Sequence, residues 1–247
     1  MQQNDAFDRF RNYLNTARGG FHLLERSVPL EKQVEYFKFS SRLRKFPAQL
    51  KDEDFERFLS ELHDPGFPQK EKQKILSTLA VSKQAKAYGI LKRYASEPDA
   101  ELSDWAHMAL TESRITLEFE FSGEKQIFIS TGLGGKGKRM RLFVLLTAAS
   151  DKPFLDYQRR IIQQESTYFL SAAGCRIERL TIKDRHVEIV LLLPMQTDIR
   201  RVLTDLILEC NLYGDFLSQN LTVTNVKELD ESEIAHILKS RDDLPPF

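Results

Sequence analysis

Residues 129–146 read "ISTGLGGKGKRMRLFVLL", with four glycines and four basic residues between two apolar runs. The segment after the glycines decides how the second half of the chain folds. A phosphate cradle of the P-loop kind needs a strand, the glycine loop and then a helix whose first amides face the phosphate, with a Lys-Ser/Thr pair at its start. Here "MRLFVLL" alternates like a strand, so the GxGxxG spacing of Gly132, Gly134 and Gly137 opens no helix, and Arg139 stands where GxxxxGK[ST] needs Ser or Thr. The glycines therefore belong to a long hairpin connection in which Gly132, Gly134, Gly135 and Gly137 permit positive φ. Two readings of that connection stay open. Either the glycine amides and the cations Lys136, Lys138, Arg139 and Arg141 converge as a concave anion nest, or the cations keep a hairpin and strand edge soluble.

Downstream of the hairpin the periodicity predicts strand 138–148, helix 154–172, strand 175–182, a tight turn at Lys183-Asp184, strand 185–193, helix 197–212 and strand 220–227. "DESEIAHILKS" then predicts a closing helix with acidic residues at its start. The order is βαββαβ, the split arrangement of ferredoxin-like folds, with both helices on one face of an antiparallel sheet. The central strands are apolar on both sides. Met140, Leu142, Val144 and Leu146 stand opposite Phe143 and Leu145, and Val187, Ile189, Leu191 and Leu193 stand opposite Val190 and Leu192. Two helices cover one face, so Phe143, Leu145, Val190 and Leu192 form a candidate interface, expected to pack on the N-terminal helices, a second copy of the chain or a partner protein. "RHVEIVLLL" lacks the aromatic residues on which RNA-recognition strands stack bases, so nucleic acid is not the expected partner.

Upstream, "ITLEFEFS" alternates strictly, with Ile115, Leu117, Phe119 and Phe121 on one side, and "KQIFIS" continues it. One or two extra strands are expected between residues 115 and 130. Before Arg114 the period is helical. Phe7, Phe10, Tyr13 and Leu14 share a face, then Val34, Phe37, Leu43 and Phe46, with Pro29 and Pro47 as breaks. Four amphipathic stretches come next, beginning at "DEDFERFLSEL" and ending at "DAELSDWAHMALTES", joined by links short enough to force antiparallel neighbours. The expectation is an α+β protein with a helical domain over 1–114 and a ferredoxin-like domain over 115–247.

Lysine plus arginine equals aspartate plus glutamate at 36 each in 247 residues, so no global field draws the molecule to nucleic acid or anionic membrane. "IVLLLP" is too short to span a bilayer and "MQQNDAFDRF" has no apolar signal core, which gives a cytoplasmic expectation. Cys175 and Cys210 fit no zinc spacing and read as buried small hydrophobes. The five histidines lie far apart, with no HExxH pattern. No catalytic residue, metal or cofactor is expected.

Two resemblances add to this. "AKAYGILKRYASEPDAELSDWAHMALTES" resembles a HEAT-like helical repeat, with residues 52–82 as a poorer copy, which implies a protein-binding scaffold rather than an active site. "LTAASDKPFLDYQRRI" and "AAGCRIERLTI" resemble an ACT-type regulatory domain, whose strand-to-helix turn reads Asp-Arg-Pro-Gly. Asp151, Lys152 and Pro153 match that turn and become candidate ligand residues. Phe154 stands where the family has the glycine that lets an amino-acid ligand approach the backbone. The function expected first is a non-catalytic interaction or scaffold protein working with a protein partner or as a homodimer. A small-ligand sensor using the ACT-like turn, and an anion or nucleic-acid binder using the glycine-rich loop, are the alternatives.

Overall fold

The computed structural model describes residues 21–124 and 127–242, so the face formed by Phe7, Phe10, Tyr13 and Leu14 lies outside the described residues. The chain is α+β and divides into two compact units, with the boundary between Ser130 and Thr131.

The first unit is helical: α1 (Leu30–Arg44), α2 (Asp52–His63), α3 (Gln69–Val81), α4 (Ala85–Ser96), a 3-10 turn (Ala100–Leu102) and α5 (Ser103–Ser122). Two short strands, β1 (Phe21–Leu23) and β2 (Ile127–Ile129), pair in parallel at its margin. Both α3 and α4 pack on α5. Their shared core is Leu62, Leu76, Leu79, Leu91, Trp105 and Met108, all buried. Trp105 donates its indole N–H to Ser77 Oγ at 2.9 Å and meets Tyr36 edge to face, with ring centroids 5.1 Å apart.

Two expectations fail here. The segment 115–122 is not a strand, because α5 runs unbroken through Arg114 and stops only at Gly123, whose φ of 67° and N–H bond to the Phe119 carbonyl close the helix. Adding a residue to an existing helix needs no new nucleus, so α5 absorbs a segment whose alternation suits a strand. Only Leu117 of the four alternating residues is buried, and Phe121 is 81% exposed. Of the extra strands expected, Ile127–Ile129 forms, but it joins β1 rather than the main sheet. The second failure is the face of α1. Val34 and Phe46 are exposed, and the buried stripe is Gln33, Tyr36 and Ser40. Tyr36 and Ser40 of that stripe close on Glu112 of α5, which accepts from Tyr36 Oη at 2.6 Å, from Ser40 Oγ at 3.1 Å and from Arg44, while Gln33 donates to the Val28 carbonyl at 2.6 Å. Burial, followed by the Glu112 charge, raises the Tyr36 hydroxyl well above its ordinary pKa.

The second unit holds β3 (Gly135–Lys136), β4 (Arg139–Thr147), α6 (Asp156–Ala172), β5 (Arg176–Ile182), β6 (His186–Pro194), α7 (Ile199–Asn211), β7 (Thr222–Thr224) and α8 (Glu231–Asp242). Every strand and helix expected between 138 and 240 is present, with ends shifted by a few residues. The antiparallel sheet runs β7-β4-β6-β5, and β3 continues the edge of β4 beside β7. Val187, Ile189, Leu191 and Leu193 are all fully buried on one face, and α6 packs on β5 and on α7. On the other face Phe143, Leu145 and Val190 cluster with Leu133 and with Ile234, Ile237 and Leu238 of α8. The occupant of the second face is thus the unit's own closing helix, which was not among the covers expected for it. Leu192 is also buried and lies in register with Arg141 and Arg176.

Candidate functional site

The glycine stretch folds residue by residue for different reasons. Gly132 sits against the backbone of Val226, where a Cβ would lie 1.7 Å from the Val226 carbonyl oxygen, so only glycine fits. Gly134 and Gly137 take φ of 68° and 58°. Gly137 and Lys138 form a two-residue turn between the paired Lys136 and Arg139, with glycine first, as a II′ hairpin requires. The connection is therefore tight rather than long. Its amides are spent inside the unit: Leu133 donates to the Asn225 carbonyl at 3.0 Å and Gly134 to the Thr131 carbonyl at 3.2 Å. Arg141 is held by Glu178 through two bonds, at 2.5 and 3.1 Å, and its Nη1 donates to the Leu133 carbonyl. The Arg141 hydrogen bond, aided by the charges of Arg176 and Lys136, depresses the Glu178 carboxyl, and the same bond raises Arg141. Lys136, Lys138 and Arg139 are exposed around the hairpin tip.

The turn between β4 and α6 builds a pocket. Phe154 is buried, donates its N–H to the Asp184 carbonyl at 2.7 Å and meets Phe216 edge to face at 6.3 Å. Phe216 arrives because residues 216–218 run alongside 147–149, with Ala149 N–H donating to the Phe216 carbonyl and Ser218 N–H to the Thr147 carbonyl. Asn211 clamps Leu217 with both ends of its amide, at 2.8 and 2.9 Å. Arg159 binds the Phe154 and Ile182 carbonyls and the Asp184 carboxylate, fixing the turn from below. The resulting pocket of about 290 Å³ has the two phenylalanines in its lining with Ser150, Lys152, Pro153 and Tyr157. Leu155 and Tyr157 remain 57% and 46% exposed beside it, and Tyr213, next to the lining residue Gly214, is 56% exposed.

Of the three candidate ligand residues, Lys152 and Pro153 line this pocket, whereas Asp151 pairs with Arg185 at 2.5 Å. Asp151 is not the helix cap either, since Leu155 occupies that position and its N–H is met by Gln158 Oε1 at 2.9 Å. Phe216, Asn211 and Arg159 carry no signal of their own in the sequence. The one mark near them is Gly214, whose φ of 114° turns the chain after α7. Burial pushes Cys175 up to about 11 and Cys210 up to about 12, so neither thiol is poised as a nucleophile. Among the described residues no cluster of three metal-ligating side chains forms, and no helix is long and apolar enough to cross a membrane.

No family model matches the chain, and no curated protein matches it significantly. Among solved structures it is similar to a REP-associated tyrosine transposase bound to a REP hairpin, at 9% identity and a TM-score of 0.33. The match covers 41% of this chain and 63% of that one, less than two-thirds of its length, and a likeness so distant carries nothing about fold or function.

Proposed function

We propose that the protein is a non-catalytic interaction protein of the cytoplasm, a HEAT-like helical unit joined to a ferredoxin-like unit, which takes a protein segment where β4 meets α6. The observation that carries this reading is the group of exposed Leu155, Tyr157 and Tyr213 around a pocket containing Phe154 and Phe216. Rigid aromatic side chains lose little entropy on ordering and dominate the centres of protein interfaces. The strand order β7-β4-β6-β5 and the βαββαβ sequence of elements support the ferredoxin-like assignment. A sensor of ACT-like type is the second reading, because the pocket lies at that family's ligand turn. Phe154 works against it, since its buried ring stands where that family keeps a bare glycine.

The test is retention of proteins from a cell extract on the immobilised full chain and on a Leu155→Asp/Tyr157→Asp variant, with thermal melting of both. The variant is expected to melt like the parent and to lose a protein that the parent retains. Identical retention by both chains, or a rise in melting temperature with an amino acid alone, overturns the reading.

A further inference from the structure

A cleft of about 580 Å³ lies within the helical unit, between the segment after β1 and one face each of α4 and α5. It is lined by Arg26, Tyr88, Lys92, His107, Leu110 and Arg114 among others. The spacing explains the convergence: Tyr88 and Lys92 lie one turn apart on α4, and His107, Leu110 and Arg114 share one side of α5. A cleft of this size lies in the range that holds small organic molecules, roughly 300–1,000 Å³.

Its charge is one-sided. Arg26, Lys92 and Arg114 face a single lining carboxylate, Glu25. Asp104 nearby lies 3.5 Å from Arg26 and 2.7 Å from Lys32, so it is shared between two cations. Neither Lys92 nor Arg114 makes an ion pair among the described residues, and the buried Nε of Arg114 has no acceptor there. His107 adds a second such donor. Its Nε2 lies 3.1 Å from Arg26 Nη1, which can only donate, so Nε2 accepts and the ring proton sits on Nδ1. That Nδ1 is buried and has no partner among the described residues. Burial, then the charge of Arg26, lowers the His107 pKa, in keeping with a neutral ring. Lys92 and Arg114 thus stand on one cleft as cations with no carboxylate partner among the described residues, which leaves room for an external acid. Leu23, Leu24, Ala95 and Leu110 give the cleft an apolar wall, beside the hydroxyls of Tyr88, Ser96 and Thr111.

We propose that this cleft binds a small organic acid, its carboxylate or phosphate set between Arg114 and Lys92 and its apolar body laid against Leu24, Ala95 and Leu110. The site is separate from the protein-docking pocket of the other unit and stands or falls independently of it. Cations with unspent donors supply the affinity for the head group, and the apolar wall rejects fully hydrated inorganic ions.

The experiment is calorimetry and thermal melting of the full chain with octanoate, octyl phosphate and neutral octanamide, in about 20 mM and about 200 mM salt. At least one of the two acids is expected to bind and to raise the melting temperature, with weaker binding at the higher salt, and octanamide is not. Whichever acid binds identifies the head group. Arg114→Gln and Lys92→Glu are each expected to weaken the acid by about tenfold or more, the loss of one charge-assisted contact. Lys92 is exposed, so its reversal keeps the test valid if Arg114→Gln does not fold. Lys136→Glu/Lys138→Glu, on the hairpin, is expected to bind like the parent. Equal binding of octanamide, no binding of either acid at about 1 mM, or variants of Arg114 and Lys92 that bind like the parent each overturn the proposal.

Discussion

In the helical unit the interior holds Glu112 and Lys72, at 7% and 3% exposure, whereas in the α+β unit the buried polar side chains described are Thr131, Thr147 and Ser166, none of them charged. Lys72 donates to Asp99 at 2.7 Å, and Tyr94 donates to the same carboxylate at 3.0 Å. The Lys72 bond holds the Asp99 carboxyl below its ordinary value. The two units are specified by different means. A sheet with two apolar faces is fixed by alternation, since a slip of one residue would exchange the faces. The helical unit has weaker patterning, and its α1 is placed by a carboxylate that Tyr36, Ser40 and Arg44 reach together only in one register against α5.

The contrast is open to direct attack. The largest loss is expected for Val190→Asp, which puts a charge between sheet and α8. Stability measured by urea unfolding should fall by about 4 kcal/mol, and a loss below about 1 kcal/mol would mean that α8 does not seal that face. Next comes Glu112→Ala, which strips the acceptor from two buried hydroxyls and should cost about 3 kcal/mol. Hydrogen exchange should then quicken in α1 and α5 and stay unchanged in β4 and β6, so uniform acceleration would contradict the separate specification of the units. Gly132→Ala forces the backbone of Val226 away and is expected to cost about 2 kcal/mol in a thermal melt. A variant as stable as the parent would show that this crossing is loose.

A smaller effect of opposite sign is expected for Thr147→Val. The Thr147 hydroxyl is fully buried without a partner among the described residues, so an apolar replacement of the same shape should gain about 1 kcal/mol. A loss of similar size would reveal a bond to that hydroxyl. The smallest change belongs to Lys136→Glu/Lys138→Glu, expected to leave unfolding within about 0.5 kcal/mol because exposed loop charges contribute little.

These differences also explain how much of the molecule is legible in its sequence. The α+β unit is legible because its strands alternate over long runs and its helices are bounded by Gly174, Asp198 and Pro194. The four-helix run 52–113 is legible for the same reason of period. The buried stripe of α1 is not, because Tyr36 and Ser40 do not look like a core until Glu112 is placed beside them. "ITLEFEFS" misleads because alternation is a local signal, while the helix that captures it begins at Ser103. Of the candidate site, Lys152 and Pro153 are visible at the turn. Phe216 and the cationic cleft are not, since both depend on residues brought together from distant parts of the chain.

The position of α8 has a consequence for biosynthesis. Residues 231–242 leave the ribosome after every strand of the sheet they cover, so during translation the face of Phe143, Leu145 and Val190 has no lid. For that interval the nascent chain presents an aliphatic surface of the kind chaperones bind and aggregates grow from. Whatever delays or removes those twelve residues, from a premature stop to a proteolytic nick before Glu231, converts a finished sheet into an adhesive one.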